Sequence, residues 1–251
     1  AYAEAKRAAL AYQHADDVAV LPADDEAVRA AGWLESGRAR RVLYGDGGRF
    51  RLDGEQVHCA ETGRTAHLAG MTLLGAHNRR NALTAAAAIL GTLEDGFDAV
   101  ANGARRTEAL PHRLAPVAEV DGVLYIDDSN ATHPNSTLAA LAALSRPIVL
   151  IAGGKDKGAD PAILLGAIRE RAKAVVLIGS SAERLASGLA GHVAVETAQD
   201  IETAVRRAAA AASPGDAVLL SPAYSSLDQF ASFAERGDRF QAAVRSLAES
   251  A

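Results

Sequence analysis

Asp127, Asp128, Ser129, Asn130 and Thr132 crowd into one short run, YIDDSNATHPNST, a density of carboxylate, hydroxyl and amide groups suited to gripping a polar ligand. Asp128, Ser129 or Thr132 could each instead cap a helix by accepting a free N–H. One cap explains one residue and leaves the others, so a functional loop is the better reading. A second run, IAGGKDKGAD, sets Gly153 and Gly154 at a strand end, where a backbone or a ligand can approach closely, followed by Lys155, Asp156 and Lys157. It does not satisfy the G-x-x-x-x-G-K-[ST] phosphate loop, and a tight turn with solvated lysines fits it as well as a ligand loop does. The third run, LLSPAYSSLDQF, ends a strand and places Ser225, Ser226, Leu227 and Asp228 at the opening of the last helix, near 228. Free N–H groups there would suit a carboxylate or phosphate, although the run taken alone is better read as a plain N-cap.

Other chemistries find less support. No Gly-x-Ser-x-Gly elbow and no metal-spaced histidine pair occurs. His77, His112 and His133 are read as surface or capping residues, and Cys59 and Trp33 as packing.

The elements that must position the three runs can be read from apolar periodicity. PIVLIAG, KAVVLIG, HVAVETA and DAVLLS are near-continuous apolar strands alternating with helices at about 134–144, 160–172, 181–190 and 199–213. That texture predicts a parallel sheet covered on both faces, doubly wound and Rossmann-like, in which ligands bind beyond the carboxyl ends of the strands. Two further strands, 115–120 and 123–126, flank an Asp-Gly turn. The first part of the chain differs: helix 2–12, strand 17–21, helix 24–31, then small antiparallel strands with hairpin chemistry at Gly45–Gly48 and Asp53–Gly54, then helices from Asn78 and over FDAVANGARR. The fold class is α/β, and the boundary falls at 109/110.

Composition narrows the function classes. The net charge of −5 and the scattered lysines and arginines leave nucleic acid without an electrostatic footprint. No apolar run is long enough to span a bilayer, so no membrane insertion is expected. The single cysteine excludes an internal disulfide and fits a cytoplasmic location. The opening AYAEAKRAALAYQ reads as an amphipathic helix entered partway, as in a piece of a longer protein.

Taken together, YAEAK, LPADD, GAHNRRNALTAAAA, LPHRLAPV, IDDSNATHPNSTLAAL, IAGGKDKGAD and LLSPAYSSLDQFASFAERGDRF resemble, in order and over nearly the whole chain, the Mur ligase family, and within it the D-glutamate-adding branch. The resemblance implies residues 1–109 as part of the central P-loop ATPase domain and 110–251 as the C-terminal Rossmann-like domain, with the P-loop and the uridine site upstream. It implies a cytoplasmic monomer in peptidoglycan synthesis. Its reaction would use ATP and Mg²⁺ to activate the carboxylate of UDP-N-acetylmuramoyl-L-alanine as an acyl phosphate, which the amine of D-glutamate attacks. This chain alone would not turn over.

The same resemblance assigns residues. Lys6 matches a lysine that CO₂ converts to a metal-holding carbamate. Asn78, Asn81, Arg113 and Asp128 match ATP contacts. Thr132, Lys157, Ser226, Leu227 and Phe233 match the amino-acid pocket, with Lys157 pairing a glutamate carboxylate and Ser226 taking the side-chain carboxylate with its helix-start amide. Asn130 departs from the pattern: D-glutamate-adding members usually carry Lys there, so this loop keeps hydrogen bonding and loses a cation. An L-glutamate-adding branch and the folate polyglutamate ligases share the chemistry, and the SSLDQF string argues against both.

Overall fold

The computed structural model describes residues 2–93, 95–156, 158 and 161–250. The chain divides into two compact units, Ala1–Glu108 and Ala109–Ala251. No helix among the described residues is long and apolar enough to cross a membrane.

The first unit runs α1 (Tyr2–Ala11), β1 (Val18–Pro22), α2 (Glu26–Ala30), a 3-10 turn (Trp33–Glu35), β2 (Arg40–Tyr44), β3 (Phe50–Asp53), β4 (Gln56–Cys59), β5 (Thr65–His67), α3 (Ala76–Thr92) and α4 (Phe97–Arg106). Its five strands pair in chain order. Only half of the antiparallel expectation holds. β3–β4 and β4–β5 are antiparallel, with a hairpin at Gly54, but β1–β2 is parallel because α2 and the 3-10 turn carry the chain back across the sheet. Tyr44 and Phe50 also pair in the parallel sense, so Gly45–Gly48 is not a hairpin. The loop instead curls back onto its own strand: a Cβ on Gly48 would lie 2.7 Å from the Tyr44 Cα. The alanines of α3 bring the helix close to the sheet, burying Ala86 and Ala87 with Leu83 and Leu90. Cys59 is packed as expected, and Trp33 joins a small cluster with Leu10 and Leu21.

The second unit runs β6 (Ala115–Val120), β7 (Val123–Asp127), α5 (Pro134–Ala143), β8 (Ile148–Gly153), α6 (Ala162–Arg171), β9 (Ala172–Ile178), α7 (Ala182–Leu189), β10 (Ala194–Thr197), α8 (Ile201–Ala211), β11 (Ala217–Leu220) and α9 (Phe233–Ser250). The sheet order is β10-β9-β8-β11-β7-β6, parallel throughout except for the β6–β7 hairpin. Asp121 and Gly122 both take positive φ, as a tight two-residue turn between twisted strands requires. β8 and β11 are buried along their whole length, as apolar runs in a doubly covered sheet should be. β10 is not. It is the sheet edge and is largely exposed, because it has a neighbour on one side only. After β7 the chain crosses to β8, winds outward through β9 and β10, and returns to insert β11 between β8 and β7. The winding direction therefore reverses at β8, β11 and β7, and the crevice of an open α/β sheet forms beyond the carboxyl ends of the strands at such a point.

Candidate functional site

All three polar runs leave strands at this reversal and are stitched to one another. The Gly153 N–H donates to Pro222 O, and Lys155 N–H to Ser225 O, so the β8 and β11 exits continue to pair beyond the sheet. Neither glycine tolerates a side chain. A Cβ on Gly153 would lie 2.1 Å from Ile178 O, and one on Gly154 2.3 Å from Ser225 O, each with φ above +100°. Their role in the fold is thus close approach of backbone to backbone. Gly154 also receives the β9 exit: its N–H donates to Ser181 Oγ and its carbonyl accepts the Ser181 N–H.

The β7 exit is tied down by its two aspartates. Asp128 is 6% exposed. Its Oδ1 accepts the Leu114 N–H at 3.2 Å and its Oδ2 accepts the Ser221 hydroxyl at 2.8 Å, joining β7 to β11. Burial pushes its pKa up to about 6, against the downward pull of the Ser221 and Leu114 bonds. Asp127, fully buried, accepts from His112 Nδ1 at 2.7 Å, from Gln241 Nε2 at 2.8 Å and from the Ser129 N–H at 2.9 Å. His112 is therefore neither a surface nor a capping residue. It is 7% exposed, fixed by Asp127, and stands edge-on to Phe233 with ring centroids 6.1 Å apart. Gly237 of α9 makes room for it, since a Cβ there would lie 2.2 Å from His112 Nδ1.

Arg113 lies between two non-glycine residues in the left-handed region, His112 at φ 60° and Leu114 at φ 43°. Such strain persists only where the surroundings impose it, and here Asp128 holds the Leu114 amide while the His112 carbonyl accepts the Asn130 N–H. The result is an exposed arginine that forms no salt bridge among the described residues, although its charge is felt by Asp128. Thr132 and Asn130 are half-buried on the same loop, and Thr132 N–H donates to Asn130 O. None of Asp128, Ser129 or Thr132 caps α5. His133 does, accepting the Asn135 N–H, and Pro134 follows at the first helical position, where no N–H is missed.

The β11 exit departs from its expected shape. α9 starts at Phe233, not near 228. Ser226 O accepts the Gln229 and Phe230 N–H groups, which closes a single separate turn, so Ser226 has no helix-start amide on α9. The helix is capped further on: Ser232 Oγ accepts the Glu235 N–H, and Glu235 reaches back to the Ala231 N–H. Ser226 is buried, whereas Leu227 at 61% and Phe233 at 39% expose apolar surface beside it. Lys157 lies outside the described residues. Its neighbour Asp156 pairs with Arg184, and Lys155 is exposed.

The remaining candidates belong to the first unit. Asn78 and Asn81 lie inside α3, whose N-cap is Gly75; Asn78 Nδ2 donates to Leu74 O and Asn81 Nδ2 to Asn78 Oδ1. Lys6 is exposed on α1. Among the described residues no cluster of His, Cys, Asp and Glu could by itself hold a metal ion, so a Mg²⁺ site is not completed by them. A cavity of about 570 Å³ in this unit is lined by Arg40, Arg49, Arg64, Phe50 and Cys59 and contains none of the candidates.

A doubly wound sheet whose strand exits converge on polar loops defines a Rossmann-like ligand-binding domain. The chain belongs to the Mur ligase family: residues 112–224 match the family model described as Mur ligase, glutamate ligase domain. It is 39% identical over 260 residues, covering 99% of this chain and 55% of the relative, to a UDP-N-acetylmuramoylalanine–D-glutamate ligase from Desulfosudis oleivorans. It is 47% identical over 188 residues, 74% of this chain and 40% of the relative, to the enzyme of the same name from Aromatoleum aromaticum. The chain spans about half the length of the curated relatives it matches. Among solved structures, a folylpolyglutamate synthase from Mycobacterium tuberculosis complexed with ADP shares the fold at TM-score 0.68 and 18% identity, covering 96% of this chain and 58% of that one. A MurF ligase from Thermotoga maritima in complex with ADP does so at 0.63 and 18%, covering 99% and 58%.

Proposed function

We propose that this chain is the C-terminal part of an ATP-dependent ligase that adds D-glutamate to UDP-N-acetylmuramoyl-L-alanine in peptidoglycan synthesis. Residues 1–109 would be part of its central ATPase domain and 110–251 its C-terminal domain. The observation that carries the reading is the 39% identity, sustained over 99% of the chain, to a relative bearing that name. The converging β7, β8 and β11 exits support it, because a ligase needs a fixed pocket beside an activated carboxylate.

ATP, with Mg²⁺, supplies the phosphoryl group that turns a poor leaving group into a good one. This chain's residues would then bind and orient. Arg113, exposed and forming no salt bridge among the described residues, is suited to phosphate. Asp128 holds the Leu114 amide and thereby aims Arg113; with both oxygens engaged and little surface, its own contact to ATP is secondary to that duty. Asn78 and Asn81 offer amide donors and acceptors to a base. Lys6, as a carbamate, would contribute one oxygen ligand to a metal otherwise held by groups outside this chain. In the amino-acid pocket Thr132, Asn130 and Ser226 offer hydrogen bonds, Lys157 a cation, and Leu227 and Phe233 an apolar wall. Localisation in the cytoplasm and a monomeric state complete the proposal.

Steady-state phosphate release by the full-length protein, with UDP-N-acetylmuramoyl-L-alanine, ATP, Mg²⁺ and either glutamate enantiomer, tests it. Release with D-glutamate and not L-glutamate is expected, and preference for L-glutamate or a folate acceptor refutes the assignment. Lys157→Ala should raise KM for glutamate at least about tenfold, the loss of roughly one charge-assisted hydrogen bond, while KM for ATP stays put. Equal KM values for glutamate would remove Lys157 from the pocket.

A further inference from the structure

Arg236, on α9, has no exposed surface, and among the described residues no carboxylate forms a salt bridge with it, although Asp228 and Asp127 lie near enough to favour its charge. Burial lowers its pKa to about 10, which leaves it charged at neutral pH. Its planar fork is spent on two loops. Nε donates to Ser129 Oγ at 2.9 Å and Nη2 to Ser129 O at 2.9 Å, both on the β7 exit. Nη1 donates to Tyr224 O at 3.2 Å on the β11 exit. The third exit runs close by, since a Cβ added to Gly154 would come 3.3 Å from Nη1. Ser129 in turn donates its hydroxyl to Phe233 O, closing the circuit at the start of α9.

Burying this cation costs free energy that the nearby Asp228 and Asp127 offset only in part, since its pKa still falls, and an apolar side chain of similar size would fill the same space without that penalty. What an apolar residue cannot do is fasten Ser129 and Tyr224 at once. Ser129 precedes Asn130 and Thr132, and Tyr224 precedes Ser226, so the fork sets the separation of the two loops that carry these candidates. We propose that Arg236 is a positioning residue for the amino-acid pocket, holding the β7 and β11 exit loops in register through its guanidinium fork. The link to glutamate rests on the function proposed above; the link between the loops does not.

Two variants separate the fork from charge and volume. Arg236→Lys keeps the cation and loses the fork, and Arg236→Met keeps the bulk alone. In the 251-residue chain, amide hydrogen exchange should accelerate about tenfold in both variants at Asn130–Thr132 and Tyr224–Ser226, with β8 and β9 as protected as before. In the full-length protein, both should raise KM for D-glutamate about tenfold and leave KM for ATP within about twofold. Uniform loss of protection across the second unit would mark an ordinary stability residue and overturn the proposal. So would wild-type exchange in Arg236→Lys, or accelerated exchange without a change in KM for glutamate. If the wild-type full-length protein shows no glutamate-dependent turnover, the ligase reading falls, and the exchange pattern decides the role of Arg236 by itself.

Discussion

Asp128→Asn should stabilise the second unit at neutral pH, and by an amount that depends on pH. The Asp128 carboxyl is buried, and its pKa rises from 3.8 to about 6. At about 1.4 kcal/mol per unit, holding it ionised in the folded state costs roughly 3 kcal/mol above pH 7. The sign follows from linkage. The folded-state pKa is the higher one, so this group's contribution is complete below about pH 4 and is lost as the pH rises through about 6. Asparagine removes the charge and nearly keeps the outline. Its amide oxygen accepts the Leu114 N–H, and its NH₂ donates to Ser221 Oγ, which turns its own hydrogen toward Thr137 Oγ1, 3.0 Å away. The bulkier amide NH₂ fits a site shaped for a carboxyl less well, which gives back about 1 kcal/mol. A net gain of about 2 kcal/mol near pH 7.5, shrinking to under about 0.5 near pH 4.5, is therefore expected. Urea unfolding followed by hydrogen exchange at peptides of the second unit measures it, at both pH values, for variant and wild type. A variant no more stable than wild type near pH 7.5, or a gain independent of pH, would refute the reasoning. A carboxyl carbon titration of Asp128 centred near 4 would refute it independently.

Two further outcomes are expected. Gly237→Ala forces a Cβ to within 2.2 Å of His112 Nδ1 and 2.8 Å of Asp127 Oδ2, so it should destabilise the second unit by about 3 kcal/mol or expel His112; a thermal midpoint within a degree of wild type and an unmoved His112 ring resonance would contradict this. Ser232→Ala removes the α9 cap and should cost about 1 kcal/mol, a fall of about 3 °C in midpoint for a domain of this size. The same loss in Ser226→Ala would show that the cap had been misplaced.

The parallel sheet was legible because β8 and β11 are apolar from end to end, and only burial on both faces calls for that. Edge position was barely legible. HVAVETA reads as one more strand, and only Glu196 and Thr197, polar and exposed in β10, hint that it lacks a second neighbour. The start of α9 is hard to place from sequence because Ser225–Ser226–Leu227–Asp228 also carries capping residue types; in the fold the Ser226 backbone carbonyl closes an isolated turn and Asp228 accepts the Ser180 N–H, while Ser232 and Glu235 form the working S-x-x-E box. Local sequence offered both boxes, and the choice lay in how Phe230 is buried. Arg236 was missed although it left a signal. It lies on the helical stripe with Phe233, Phe240 and Val244, where a charged residue facing the core demands a partner. His112 and Asp127 gave no such signal, since each is ordinary alone and their pairing spans a strand. Asp128, Thr132 and Ser226 stand out in the composition of their runs, whereas Arg113 is reached only through the resemblance. That three of the runs leave strands at the reversal of the winding follows from the strand order, which no single run contains.

The tight Asp121–Gly122 bend lies at the opposite pole of the second unit from the polar exits. There it meets Pro214 and Gly215, close to where Lys173 grips Asp216. The candidate groups of the second unit lie at the other end of the strands, and this end shows only fastening contacts. A dye, an affinity handle or an inserted domain grafted at that bend would thus travel with the sheet yet stay a full strand length from incoming molecules, giving experimenters a silent grip on an otherwise crowded surface.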